Sequence, residues 1–330
     1  MMEFRTSFEI EPVREKFTNE TKWMTIGSCF SEVIGNRLKE NKVSVEVNPF
    51  GTLFNPMSIF KLLKPNYAPD ARLFVAQQER YFHYDFHSQF SANNEAQLDE
   101  ILSAKLADVQ NQLKSIDVLI ITFGTAFVYQ LKTVPTYLAN CHKMSASLFE
   151  KSLLSVKDIC KGFASVYDSL KTVNPNLRIL LTVSPVRHTK DGIPENQVSK
   201  SILRAACHYL VTDFSDVSYF PSYEIMMDDL RDYRFYKADM IHPNDVAEAY
   251  IFEQFSKTYF DDSLVSWIND WQKINRSLTH RPMNGLSKAH QRFLENLLKE
   301  LKGRMETCNL EKEIKQVEEQ LAEIKKQNPD

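Results

Sequence analysis

Glycine is scarce, eight in 330 residues, and nowhere do the glycines assemble into a phosphate-binding loop. Gly-Lys-Ser/Thr is absent, and the Gly27 turn near the start has no third glycine to complete a dinucleotide fingerprint, so phosphate-binding readings are weak. The chain also lacks an uninterrupted apolar run long enough to span a membrane, and Met1-Met2-Glu3-Phe4-Arg5 carries no apolar core of a signal peptide. Basic residues are not in excess: 40 Lys and Arg stand against 43 Asp and Glu, a net charge of −3, which argues against nucleic acid or an anionic membrane as partner. The five cysteines, at 29, 141, 160, 207 and 308, are odd in number, scattered and free of any Cys-x-x-Cys pair. That excludes the usual disulfide framework and structural zinc site and leads us to expect reduced thiols in a cytoplasmic protein.

What remains is an ordinary globular composition, long enough to bury a large core. Short apolar strands are expected at Trp23 to Ile26, Val43 to Val47, Val118 to Phe123, Arg178 to Val183 and Val217 to Phe220. Of these, Val118-Leu119-Ile120-Ile121-Thr122-Phe123 reads as a central parallel strand buried on both faces. Helices are expected at Ser31 to Leu38, Ser58 to Leu63, Asn94 to Lys114, Ser155 to Val173 and Glu195 to Leu210, with an inserted aromatic hairpin over Arg72 to Phe90 and a loop around Asn140. Strands and helices alternating at this rhythm predict a doubly wound α/β sheet, with ligands beyond the carboxyl ends of the strands. From Ser263 onward the residues are helix formers. One stripe runs Phe293, Leu294, Leu297, Leu298, Leu301, Met305 and a second Leu310, Ile314, Val317, Leu321, Ile324. The second is a coiled-coil-like seam of about two heptads, which could dock on its own domain, fray, or join two copies into a homo-oligomer. The expected division is therefore residues 1–262 and a helical extension, 263–330.

Two short motifs carry chemistry. In Met24-Thr25-Ile26-Gly27-Ser28-Cys29-Phe30-Ser31 a strand turns through Gly-Ser-Cys straight into a helix. Ser28 and Cys29 sit on that corner, where free backbone N–H groups and the helix dipole favour an anion, so a thiol there should ionise more easily than a free cysteine. Many parallel-sheet proteins, however, use such a corner for phosphate or for nothing. The second motif is Asp239-Met240-Ile241-His242-Pro243. An Asp three residues before a His can hold carboxylate and imidazole side by side, orienting a ring that takes a proton from a nucleophile. Taken alone, Asp-x-x-His mostly marks surface residues. Late in an α/β chain whose first strand ends in a nucleophile corner, it becomes informative.

With these residues in view, the chain resembles the GSCFA family, whose motif stands here as Gly27-Ser28-Cys29-Phe30-Ser31, with Ser in place of the final Ala. That family is similar to the SGNH/GDSL hydrolases, in which a Gly-Asp-Ser corner works with a late Asp-x-x-His. The resemblance covers roughly residues 1 to 260. It implies a three-layer α/β/α domain with a five-stranded parallel sheet in flavodoxin-like order, carrying the C-terminal helices as an extension. The superfamily's nucleophile stands two residues after the Gly, which is Cys29 here, and Ser28 fills the Asp slot. Some capsule-modifying acetyltransferase-like proteins resemble this arrangement, with Gly-Asn-Cys at the corner. Cys29 is thus ranked ahead of Ser28. The resemblance further implies an oxyanion hole at Gly51, with Asn48 or Asn55 nearby. The superfamily's Gly-x-Asn-Asp is replaced by Gly124-Thr125-Ala126, so Thr125 or Asn140 would have to supply the missing donor, whose loss can cost a hundredfold or more in rate.

The implied activity is an acyl-ester hydrolase or acyltransferase acting on a small-molecule or carbohydrate acyl group. It needs no metal or organic cofactor, although acetyl-CoA could be a co-substrate. The alternative is an SGNH-fold interaction protein that is catalytically weak or inactive. Other residues weigh both ways. Arg187 and His188 could recognise an acyl donor's phosphates or a substrate carboxylate, or form a solvated turn. Cys141 and His142 could make a second Cys/His pair, or lie together incidentally. His83, Asp85 and His87 could bind a metal, but read more naturally as a polar, aromatic lid surface. Cys160 and Cys207 sit among apolar helix residues and read as core.

Overall fold

The computed structural model describes residues 5–279, 287–304 and 309–327. In chain order the elements are β1 (Trp23–Gly27), α1 (Cys29–Glu40), β2 (Val45–Val47), α2 (Pro56–Leu63), β3 (Phe74–Gln77), β4 (Arg80–His83) and α3 (Glu95–Leu113). They continue as β5 (Val118–Phe123), β6 (Phe127–Leu131), β7 (Val134–Leu138), β8 (Phe149–Leu153), α4 (Val156–Val173), β9 (Arg178–Val183), α5 (Ile193–Asp213) and β10 (Val217–Phe220). The single turn α6 (Ser222–Glu224), α7 (Asp245–Tyr259), α8 (Asp262–Thr279), α9 (Lys288–Gly303) and α10 (Glu311–Gln327) complete the chain.

The five strands expected from sequence form one all-parallel sheet in the order β2-β1-β5-β9-β10, which is the flavodoxin-like order. β1, β5 and nearly all of β9 are buried along their length, as a sheet covered on both faces requires. Helix starts follow cap chemistry: Asn94 accepts from the Gln97 amide ahead of α3, and Ser155 and Asp158 make a reciprocal capping box ahead of α4.

Two additions to the sheet were unequally legible. The β3–β4 hairpin lies inside the expected aromatic insertion. The stretch read as a loop around Asn140 instead holds a three-stranded antiparallel sheet, β7-β6-β8, beyond the carboxyl end of β5, with Asn140 in the connection from β7 to β8. Its turn, Lys132-Thr133, lacks the Asn-Gly or Gly signature of a tight hairpin, and Pro135 argues against a strand. Pro135 is tolerated because β7 is an edge strand.

The C-terminal stripes meet each other within the chain. Leu294, Leu297 and Leu301 of α9 pack with Leu310, Ile314, Val317, Leu321 and Ile324 on and beside α10, and both helices cover Trp271, Ile274 and Leu278 of α8. The seam is therefore buried among the chain's own helices; Met305 and Cys308 lie outside the described residues. α8 runs across the expected boundary at 262: Leu264 and Ile268 belong to the core on the sheet's α1/α7 side, and Trp271 onward to the second cluster. Trp267 and Trp271 donate their indole N–H groups to the carbonyls of Asn41 and Glu40 just after and at the end of α1. Among the described residues no helix is long and apolar enough to cross a membrane.

Because the α9–α10 cluster is distinct from the sheet core, a chain ended after residue 304 should keep the sheet domain's cooperative thermal transition in calorimetry. Loss of that transition would make the last helix part of the domain's own core.

Candidate active site

The corner after β1 depends on Gly27, whose φ of +138° lies where side chains are strained. A methyl group at Gly27 would overlap the Thr122 carbonyl of β5. Around it, the Ser28 amide donates to Thr122 O at 3.0 Å, Leu53 N to Gly27 O at 2.8 Å, and Gly27 N to Asn48 Oδ1 at 3.0 Å. Ser28 is the N-cap of α1, but its side chain caps nothing, and its fully buried hydroxyl has no hydrogen-bond partner. Cys29 opens the helix with its thiol facing a polar groove of about 440 Å³. The groove runs along α1 past Glu32, Asn36, Arg37 and Glu40, about 16 Å at 1.5 Å per residue, and its opposite wall holds Lys237, His242, Pro243, Asp245 and Glu248.

Across the groove, Asp239 and His242 stand side by side on one turn. His242 Nδ1 lies 2.7 Å from Asp239 Oδ2, while Asp239 Oδ1 accepts from the amides of Ile241 (2.8 Å) and His242 (3.0 Å). Met240, at φ +58°, bends the backbone to allow this. The two backbone amides and the imidazole lower the Asp239 carboxyl to a pKa of about 2, so the carboxylate stays ionised. Arg187 ties the turn down: its Nη1 donates to Met240 O at 2.9 Å and its amide to Ile241 O at 3.2 Å. The Arg187 side chain faces a separate hollow of about 310 Å³, lined also by Asn196, Met226, Tyr233 and Tyr236.

The thiol does not behave as the corner alone predicts. Burial is the largest influence on Cys29 and raises its pKa above the ordinary value, and the Glu32 carboxylate raises it further; Lys200 and the N–H groups of Cys29 and Phe30 oppose them. Desolvation and a like charge outweigh the helix end, so the expected easy ionisation is corrected: the resting group is a thiol that needs a base. The expected oxyanion donors are corrected as well. Gly51 N donates to Asn48 O at 2.7 Å, and the amides of Gly124 (2.8 Å) and Thr125 (3.0 Å) both donate to Phe54 O. Asn55 caps α2 through Ser58 N and donates to Leu138 O. Thr125 Oγ1 lies 3.1 Å from Ser199 Oγ and accepts from Phe127 N. Asn140 accepts from His142 N and donates to Ser88 Oγ. Asn48, between Gly27 N and Glu32 Oε1, is a strut for the corner. The amides left facing the sulfur are those of Cys29 and Phe30.

His142 stacks on Phe82 and places Nε2 2.9 Å from His83 O, a structural role away from the groove. Cys141 packs in the small cluster of Leu73, Tyr84 and Phe149. Asp85 is bound to Lys61 Nζ at 2.8 Å and to Tyr67 OH at 2.5 Å, and among the described residues no His, Cys, Asp and Glu group could hold a metal. His188 packs edge-on to Phe54, and burial, with Lys200 adding to it, lowers its pKa to about 3, which keeps the ring neutral.

One residue escaped the reading of the sequence. Lys200 of α5 is only 1% exposed, and its Nζ donates to Gly124 O at 2.8 Å and Ser184 O at 2.7 Å. Burial lowers its pKa to about 7. Its signal was positional: Asn196, Ser199, Lys200, Leu203, Ala206, Cys207 and Leu210 share the helix's buried face, and a lysine on such a stripe is out of place.

The Glu32 carboxylate accepts from Asn48 Nδ2 and Thr52 Oγ1, contacts that a glutamine's oxygen preserves. Glu32→Gln should therefore leave the corner intact and lower the Cys29 pKa, raising its alkylation by iodoacetamide at neutral pH several-fold. Peptide mapping of the alkylated protein reads this directly, and an unaltered rate would mean that the carboxylate's charge is not felt at the sulfur.

Among solved structures the chain is similar to a family 3 carbohydrate esterase of Clostridium thermocellum, at 11% identity and TM-score 0.33, over 76% of this chain and 98% of that one. It is also similar to a carbohydrate esterase family 3 protein from Talaromyces cellulolyticus, at 10% and 0.34, over 76% and 99%. An acetyl xylan esterase from the rumen bacterium Butyrivibrio proteoclasticus aligns at 13% and 0.34, over 72% and 62%. Likenesses this distant leave those activities with the proteins that have them. No curated protein matches the sequence. The GSCFA domain protein C-terminal domain matches residues 271–323, a start that falls where α8 passes from the first core to the second. The GSCFA family itself matches residues 22–255, from the strand before the Gly-Ser-Cys corner to the helix after Asp239 and His242, and the chain belongs to that family.

Proposed function

We propose that this protein is an acyl-ester hydrolase or acyltransferase with Cys29 as nucleophile, His242 as base and then acid, and Asp239 as the group that orients His242. The observation that carries the reading is that Cys29 and His242 line the two walls of one groove, with the imidazole already held by an ionised carboxylate. With Nδ1–H donated to Asp239, Nε2 is free to take the thiol proton. The sulfur then attacks the acyl carbon, and the oxygen that becomes negative is met by the amides of Cys29 and Phe30. His242 returns the proton to the departing alkoxide, leaving a thioester on Cys29, and a second hydroxyl, from water or an acceptor, attacks that thioester by the same route. Ser28 is the poorer nucleophile because its hydroxyl is fully buried, away from the groove.

The lining also bears on the substrate. Glu32, Glu40, Asp245 and Glu248 outnumber Arg37 and Lys237, so a polyphosphorylated donor such as acetyl-CoA meets the wrong sign of charge. An uncharged O-acyl group on a polyol or carbohydrate suits a polar groove with donors and acceptors along both walls. The second reading, a weak or inactive interaction protein, draws on the raised thiol pKa and on the committed amides of Gly51, Gly124 and Thr125.

4-Nitrophenyl acetate separates the two. The enzyme should give a burst of nitrophenol followed by steady turnover. His242→Ala should lose roughly a hundredfold or more of the rate, and Cys29→Ala all of the burst. No burst from the intact protein favours the interaction reading, and an undiminished rate in His242→Ala would remove that histidine from the mechanism.

A further inference from the structure

An ammonium taken out of water is costly unless an anion or a full set of acceptors receives it. Lys200 has two backbone acceptors, Gly124 O and Ser184 O, and among the described residues no carboxylate pairs with it. Both carbonyls lie just past the carboxyl ends of β5 and β9. The Ser28 amide donates to Thr122 O of the same β5 end, and Ser184 N to Phe123 O, so the amine sits at the strand ends bordering the Cys29 corner. Two of its N–H bonds are committed to carbonyls whether it is an amine or an ammonium. The two forms differ only at the remaining position on nitrogen.

The groups around this position come from several elements. α1 contributes Cys29, and α6 contributes the Tyr223 ring, whose centroid lies 5.7 Å from the Lys200 nitrogen. In the segment after β9, His188 feels Lys200, and Asp191 and His242 act on that same ring. Within this set the group that can become an anion in Lys200's own field is the Cys29 thiol, and each acts on the other's ionisation. Glu32 opposes the thiolate, and the helix end alone does not overcome it.

We propose that Lys200 is the positioning residue of the Cys29 site, a buried amine whose charge stabilises the thiolate once His242 has taken its proton. The proton leaves Sγ for His242 Nε2, no bond forms to Lys200, and the ammonium stays on its two carbonyls while the sulfur is negative. Because the coupling is reciprocal, the thiolate holds the Lys200 proton to higher pH than the thiol does.

The inference rests on Cys29 as the reactive group, yet its test needs no turnover, so an inert protein can still pass or fail it. Iodoacetamide labelling of Cys29 is followed against pH in the full-length protein and in Lys200→Met. The midpoint should move up by about one pH unit or more in the variant, the size of shift that losing a nearby opposite charge produces. A folded variant that labels with the same midpoint overturns the proposal whether or not its melting changes, since a merely structural lysine would leave the midpoint alone. Should Lys200→Met not fold, the Lys200 ¹⁵Nζ resonance can be titrated in Cys29→Ala and in Cys29→Asp, whose carboxylate stands in for the thiolate. A higher midpoint in Cys29→Asp supports the coupling, and identical midpoints overturn it.

Discussion

The close approach of Gly27 to the Thr122 carbonyl is the contact on which the site depends. It lets β1 end flush against β5, and it makes room for three hydrogen bonds that set the corner: Ser28 N to Thr122 O, Leu53 N to Gly27 O, and Gly27 N to Asn48 Oδ1. Those bonds orient the first turn of α1, and with it Cys29. They also bring Asn48, Thr52 and Glu32 together, since Asn48 and Thr52 donate to the Glu32 carboxylate. One position without a side chain thus fixes both the Cys29 thiol and the charge that opposes its ionisation.

That opposition gives the site its character. A buried thiol beside a carboxylate is poorly ionised at rest, and the helix N-terminus answers with two amides rather than with a full charge. The remaining help stands on other elements: the oriented imidazole on the turn before α7 and the buried amine on α5. Such a thiol is slow to alkylate or oxidise near neutral pH, because the thiolate is the reactive form.

Much of the fold was legible because its strands follow simple rules. A continuous apolar run marked the central strand over Val118 to Phe123, and the helices expected from Asn94 and Ser155 begin on those residues as N-caps. The β7-β6-β8 sheet was not legible, since its hairpin turn has no glycine or asparagine and Pro135 sits within a strand. For the site, the motifs carried Cys29, Asp239 and His242, because a sharp turn and an i, i+3 spacing leave local signatures. The oxyanion residues fared worse. Whether an amide at Gly51 or Gly124 faces substrate or a carbonyl is decided by tertiary hydrogen bonds that no spacing encodes. Lys200 was missed because an apolar-periodicity reading passes over a polar residue on a buried stripe, where its oddity is the signal.

In the proposed reaction the thiol of Cys29 carries the acyl group. Quenching the protein with acid during reaction with an activated acetyl ester, then mapping the modified peptide by mass spectrometry, shows where that group sits. An acetyl group on Cys29, absent from Cys29→Ala, is the predicted result. Acetyl on Ser28, or on no residue of the corner while ester is still consumed, would contradict it.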